Sequence, residues 1–357
     1  MTALNRFRKE LAKTDAEGAI ISSELNIRYL CGFDYTEGYL LVFPDKAYLL
    51  ADFRYIEAAQ GASEEFTKVM PEGTMLSELD KLIKERGARV IAVEDGSVTL
   101  SEFGRMQKAI EGVTLSTGAT EILRNIREVK TDDELAIIAK AQSVTDAAFE
   151  HILGFITPDK TEIEVALELE FFMRSHGAEA LAFDTIAVSG AASSLPHGVP
   201  SHNKLSRGFL TMDFGAKVDG YCSDMTRTVV IGKADEDIKK VYNTVLSAQT
   251  AALEAICEGI GCRAADKIAR DIITDAGFGK CFGHSLGHGV GMFIHESPSL
   301  APRTPEDVVL RRGNVVTVEP GIYIEGKYGC RIEDMVAIDN SGNFINYTKS
   351  PKKLIEI

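Results

Sequence analysis

The sequence predicts an α+β protein of two domains. A smaller α/β unit spans residues 1–123, and a larger one spans 124–357, with helices wrapped on an antiparallel-rich sheet. Three observations carry this expectation. The chain has 357 residues, more than one module of roughly 100 to 200. Short apolar runs alternate with helix-like segments in its first third. Beyond that third, amphipathic helices are interleaved with three long β-like stretches.

In the first unit, runs at 18–21, 39–43, 47–50 and 89–93 read as strands. Pro44-Asp45 is a turn signal, so the second and third runs form a hairpin. Residues 74–86 have a helical pattern that Gly87 closes. Nothing here gathers metal-ligating or acid-base residues, and a structural or oligomerising role is expected. A charged connector at 124–130 leads to Thr131 and Glu134, a capping box. Apolar residues recur at Ile137, Ala141, Val144, Ala148 and Ile152, one helical face. A second box, Thr161 with Glu164, opens a helix that Gly177 ends. Helices follow at 235–256 and 264–276, and β-like stretches at 209–231, 284–295 and 314–338. No fixed-period repeat is visible.

Composition narrows the function. An apolar share of 45% with 26% charged residues is that of an ordinary globular chain. The net charge of −14 opposes nucleic acid and anionic membrane as partners. No apolar run reaches the 18 or so residues of a membrane span, and charges interrupt the N-terminus where a signal peptide would be apolar. A cytoplasmic location is expected. Six scattered cysteines without a CxxC pair fit a reducing compartment and exclude a zinc ribbon.

The chemistry concentrates in three stretches. In LTMDFGAKVDGYCSDMTRTVVI, Asp219-Gly220 signals a two-residue hairpin. Val218 then faces Tyr221, Phe214 faces Met225, Asp213 faces Thr226 and Asp224 faces Gly215. Side chains alternate at period two, so Asp213 and Asp224 share a face as diagonal neighbours. Two carboxylates there repel. They are either solvated on an open sheet face or neutralised by a cation, which would explain why a poor strand former appears twice.

The segment GHSLGHGVGMFIHE holds His284, His288 and His295. The first two have the i, i+4 spacing of a helical metal motif. Gly283, Gly287, Gly289 and Gly291 would each cost a helix about 1 kcal/mol, so loop or strand is expected. No GK[ST] follows, and Pro298 opposes a helix, which disfavours a phosphate cradle. Glycines that admit close backbone approach, beside three histidines, point to a binding site.

In VVTVEPGIYIEGKYGCRIEDMVAI, Glu319 ends a run that should be buried, and Pro320 stops the strand with that carboxylate at its rim. Glu333 is read in a second strand, sharing a face with Arg331 and Met335. An acid inside an apolar strand needs a partner, and Arg331 or a cation would serve. Asp213, Asp224, His288, Glu319 and Glu333 together offer four carboxylates and an imidazole. One divalent ion leaves two charges uncompensated, whereas two ions balance them with room for a water. Such donors suit manganese, cobalt, iron or zinc, and the lack of cysteine ligands argues against a structural zinc site.

The blocks MDFGAKVDGYCSDMTRT, GHSLGHGVGMFIHE and TVEPGIYIEGKYGCRIED resemble those of the proline-specific metallopeptidases. These are the Xaa-Pro dipeptidases (prolidases) and Xaa-Pro aminopeptidases of the methionine aminopeptidase and creatinase superfamily. All five candidate ligands match in order and spacing. NIRYLCGF and DFRYIEAA resemble the family's N-terminal domain, and IREVKTDDELAIIAKA its interdomain helix. Cys330 departs from the pattern, standing where an apolar residue such as Val is expected.

The resemblance implies a pita-bread catalytic domain behind a smaller creatinase-like α/β domain. It implies Asp224 and Glu333 bridging two divalent ions, manganese first among them, with Asp213 on one ion and His288 with Glu319 on the other. A water between the ions would be the nucleophile, and Glu319 would also shuttle its proton. His295 and His197, the latter in SSLPHGVPS, would hydrogen-bond the substrate carbonyl. His284 and Tyr323 would line the proline-side pocket, and Arg331 would orient Glu333 or Asp224. The implied partners are short proline-containing peptides and a second copy in a homodimer; dipeptidase and aminopeptidase both stay open. Two other classes are weighed. A mononuclear iron oxygenase using His284, His288 and Asp213 leaves three carboxylates unused. A non-catalytic peptide-binding member of the same fold sits poorly with an intact ligand set.

Overall fold

A computed structural model describes residues 1–34 and 37–357 and divides into two units, Met1–Arg127 and Glu128–Ile357. In the first, six strands form one mixed sheet in the order Phe66–Val69, Ala47–Ala51, Gly38–Val42, Gly18–Ile21, Val90–Val93 and Thr114–Ser116. The expected hairpin is the antiparallel pair Gly38–Val42 and Ala47–Ala51. The helix Met75–Arg86 is capped by Thr74 and closed by Gly87 at φ 68°. The edge strands, FTKV and TLS, are too short to show alternation in the sequence. Residues 124–130, expected as a connector, are helical through Glu128, because Ile122, Leu123 and Ile126 bury one face of Ala119–Glu128. The chain divides after Arg127, inside the stretch 124–130.

The second unit repeats one plan. Helices Asp132–Phe155 and Glu162–Ser175 share a core with strands Gly208–Phe214 and Met225–Ile231. Helices Glu236–Ala255 and Cys262–Asp275 share another with strands Val315–Val318 and Asp334–Ile338. The second helix of each pair has 14 residues. Buried Glu162, Val165, Ala166, Leu169 and Met173 recur as Cys262, Ala265, Asp266, Ala269 and Ile273, each 100 positions on. No identity survives at any of these five pairs, so the duplication shows in burial and not in the residues.

Both capping boxes form, at Thr131 and Thr161. The buried stripe of the first helix includes Ile138 rather than Ile137, because polar Gln142 and Thr145 also lie on it and mask its period. The strand ladders of this unit are antiparallel. Asp219 and Gly220 take φ of 48° and 89°, the turn whose twist suits a tight hairpin. Val218 pairs with Tyr221, Phe214 with Met225 and Asp213 with Thr226, as the turn requires. No helix among the described residues is long and apolar enough to cross a membrane.

The two faces of this hairpin serve different halves. Leu210, Met212, Phe214, Met225 and Val229 enter the first core, while Phe209 and its neighbour Val230 enter the second. Alternation puts Thr211, Thr228, Asp213 and Thr226 on the face of Phe209 and Val230. The Thr211 hydroxyl donates to the Gly329 carbonyl at 3.2 Å, and that of Thr228 to the Arg331 carbonyl at 2.8 Å. The halves thus meet along a seam of hydroxyls that runs toward the acidic residues.

Gly215 sits at the break in the hairpin ladder and lets the chain approach closely there, since a Cβ would run into the Ser223 carbonyl. Gly215→Ala is expected to destabilise the protein by about 1–3 kcal/mol through overpacking, read from urea unfolding. An unchanged midpoint would refute this account of the break.

Candidate metal centre

Both halves of the second unit supply the site. Asp213 lies in the strand Gly208–Phe214 opposite Thr226, and Asp224 immediately precedes the strand Met225–Ile231. Glu319 follows the strand Val315–Val318, at the rim where Pro320 ends it. Glu333 corrects the expectation of a strand position. It sits in the two-residue break between the strands Tyr328–Arg331 and Asp334–Ile338, so the face predicted for Arg331, Glu333 and Met335 does not form. His288 is the centre of the short strand Gly287–Gly289, neither helix nor loose loop. Cβ atoms at Gly287 and Gly289 would strike the carbonyls of Thr317 and Ser297, so the glycines are what let this strand enter between its neighbours.

Ligand atoms of Asp224, His288 and Glu333 lie within 4.8 Å of one another. His288 Nε2 is 3.5 Å from Asp224 Oδ2 and 3.5 Å from Glu319 Oε1. Its Nδ1 faces the Gly289 carbonyl at 3.0 Å, which needs the proton there and leaves Nε2 as a bare lone pair. Burial lowers the His288 pKa to about 4, so no imidazolium compensates the acids. Burial, then Glu333, Asp213 and Glu319, raise the Asp224 carboxyl well above its usual range. Burial and the Glu319 and Asp213 charges do the same to Glu333, and burial foremost takes Glu319 to about 8.

Asp213 enters through Arg331, whose guanidinium donates to Asp213 Oδ2 at 2.6 Å. The other oxygen, Asp213 Oδ1, is buried without a partner. A bare imidazole lone pair facing carboxylates and an orphaned carboxylate oxygen in one acidic cluster fit a bound cation. The donors are hard oxygens and one nitrogen, suited to a divalent metal.

A further set of groups aims the acids. The Thr226 hydroxyl donates to Glu333 Oε2 at 2.7 Å and accepts from Arg331 Nε at 2.9 Å. Arg331 therefore reaches Glu333 through a threonine rather than by the direct pair considered from the sequence. It also donates to the Tyr323 hydroxyl at 2.6 Å. That hydroxyl lies 3.0 Å from His284 Nε2, whose Nδ1 proton faces the Ser285 carbonyl at 2.8 Å. Both nitrogens of His284 are thus engaged, and the triad of His284, His288 and Asp213 does not form. Burial takes His284 to about 4 and Tyr323 to about 12, so both are neutral near pH 7.

Arg227 is 1% exposed and donates to the carbonyls of Thr226, Glu333 and Ser350 and to Asp334 Oδ1. Arg227, Thr226 and Thr317, whose hydroxyl is 3.3 Å from Glu319 Oε1, lie outside the set of site residues that the sequence predicts. Alternation held the signal for two of them. Thr226 shares a face with Asp224, and an arginine inside MTRTVVI must be buried with partners. His295 and His197 are exposed, the former with its ring centroid 4.4 Å from that of His288.

Residues 136–340 match the profile of metallopeptidase family M24, and residues 4–129 that of the creatinase/prolidase N-terminal domain. An Xaa-Pro dipeptidase of Pyrococcus horikoshii is 36% identical over 345 residues, 96% of this chain and 95% of its own. The solved structure of an Xaa-Pro dipeptidase from Bacillus anthracis has a TM-score of 0.94 at 42% identity, covering 99% of each chain. That of an X-Pro aminopeptidase from Thermotoga maritima has 0.90 at 34%, covering 98% of this chain and 100% of its own.

A metal ion must displace the protons these acids hold. With Glu319 titrating at about 8, binding of manganese near neutral pH is expected to release protons and to tighten as pH rises toward that value. Calorimetry in buffers of different ionisation heat measures the release; binding with no buffer dependence would contradict it.

Proposed function

The chain belongs to metallopeptidase family M24, with a creatinase-type domain ahead of a pita-bread catalytic domain, and on that premise we propose that it hydrolyses the Xaa-Pro bond of dipeptides. The observation that carries the reading is His288 Nε2 set 3.5 Å from both Asp224 Oδ2 and Glu319 Oε1, a nitrogen and two carboxylates arranged as a divalent metal requires. Asp213, Asp224, His288, Glu319 and Glu333 would hold two divalent ions. Four carboxylates and the Arg331 guanidinium sum to three negative charges, which two such ions exceed by one, leaving a place for one anion. Bound there, the ions supply Lewis acidity and a lowered water pKa. Manganese is the metal we favour.

The chain's own groups do the rest. Glu319 moves a proton between the attacking water and the proline nitrogen that leaves. His295 and His197 donate N–H to the scissile carbonyl oxygen, and their exposure leaves them free to meet a substrate. Arg331 and Thr226 hold Asp213 and Glu333 in place. His284 and Tyr323, locked together by a hydrogen bond, form a rigid wall for the proline ring. Proline brings no N–H to the bond, so shape must replace the hydrogen bond that other peptides offer. The end-to-end likeness to proteins named Xaa-Pro dipeptidase supports the dipeptide as substrate, and the aminopeptidase likeness keeps a longer peptide as the second reading. The six free cysteines support a reducing, cytosolic setting.

Ala-Pro is the expected substrate, cleaved faster than Ala-Pro-Ala; activity should vanish on chelation and return with manganese at two ions per chain. Asp224→Asn should fall below about a hundredth of wild-type turnover while the protein stays folded. Full activity in that variant would remove Asp224 from the ligand set, and faster cleavage of the tripeptide would favour the aminopeptidase reading.

A further inference from the structure

The loop 190–200 carries His197, and one side chain grips both its ends. Glu162, the first residue of the helix Glu162–Ser175, is 3% exposed. Its Oε1 accepts from the Ser189 N–H at 2.7 Å and the Ser189 hydroxyl at 3.0 Å. Its Oε2 accepts from the Ser201 N–H at 3.1 Å and the Ser201 hydroxyl at 2.7 Å. Backbone bonds extend the grip: Glu162 N–H donates to Asn203 at 3.2 Å, and Ile163 N–H to Ser201 at 3.0 Å. Between these ends the tip stands open, with Leu195 59% and Val199 83% exposed on either side of His197. Two ties reach the tip region from the other half, Gly329 N–H to the Ser193 hydroxyl at 2.9 Å and Arg331 to the Pro196 carbonyl at 3.3 Å. The second tie sets the residue before His197 beside the guanidinium that holds Asp213.

Capping this helix needs no such arrangement. Thr161 already caps it, and a carboxylate that spends all four acceptor bonds on the two ends of one loop defines that loop. We infer that Glu162 is a positioning residue: by fixing the span from Ser189 to Ser201 it sets where His197 meets the substrate carbonyl. The inference rests on the role proposed above for His197. Glutamine replaces Glu162 incompletely, because its amide N–H₂ would confront the backbone N–H of one serine, donor against donor, although that serine's hydroxyl could turn to accept.

Glu162→Gln is expected to lower kcat/KM for Ala-Pro about tenfold. Metal affinity by calorimetry should be unchanged, and amides in 190–200 should exchange faster with solvent. In a His197→Ala background the same substitution should cost nothing further, since its effect passes through His197. Ser201→Ala should show a smaller loss in the same direction, and it carries the comparison if Glu162→Gln does not fold. A loss undiminished in the His197→Ala background, or wild-type exchange across 190–200, overturns the inference. If His197→Ala keeps the wild-type rate, the role of His197 falls and the inference with it. If the unaltered protein cleaves no Xaa-Pro substrate, the functional reading fails by itself, and the exchange measurement still decides whether Glu162 holds the loop.

Discussion

Unbalanced negative charge in a buried place governs the second unit. Four carboxylates converge with no protonated histidine among them, and Arg331 is the cation bonded to the cluster among the described residues. In a low dielectric such a cluster is tolerated only if the acids hold protons or a counter-charge sits among them. The raised pKa of Asp224, Glu333 and Glu319 expresses the first state. The ligand geometry is built for the second. Much of the surrounding structure keeps the acids from turning away from one another, as side chains under repulsion otherwise would.

How that restraint is achieved explains what the sequence could reveal. Asp213, Asp224 and their register followed from one dipeptide, because a two-residue turn dictates every pairing beyond it. Glu333 falls outside the strand because a short break between two strands leaves no mark in an apolar run; only its contacts with Thr226 and Arg227 show why the strand stops there. The path from Arg331 through Thr226 was not legible either. Hydroxyls in a strand read as β formers, and which carbonyl or carboxylate they meet depends on the opposite half of the fold. Short edge strands and the true stripe of the first long helix were missed for a similar reason: local pattern is weak where tertiary contact decides.

The internal duplication carries a related lesson. Helices of equal length bury equivalent positions 100 residues apart with no shared identity, which leaves the pattern of burial rather than residue type as the preserved quantity. The buried acids of the two helices differ in position and in role. Buried Glu162 grips the loop before the first hairpin, whereas Asp266 in the other half accepts from the Leu286 N–H at 3.0 Å and pairs with Arg270. Each half therefore has an acid at the base of its second helix securing a segment that leads to the site, yet the two acids occupy different helical turns.

The threonine-lined seam has a mechanical meaning. Aliphatic packing aligns two sheets by shape alone, because burial of apolar surface carries no directionality. Hydroxyls that must find particular carbonyls admit one alignment only. A slip of a single residue would shift one pair of acids from the other by about 3.3 Å, more than a whole coordination bond. The polar contact surface acts as a vernier, transferring the accuracy of hydrogen-bond lengths to a cage whose occupant tolerates errors of a few tenths of an ångström.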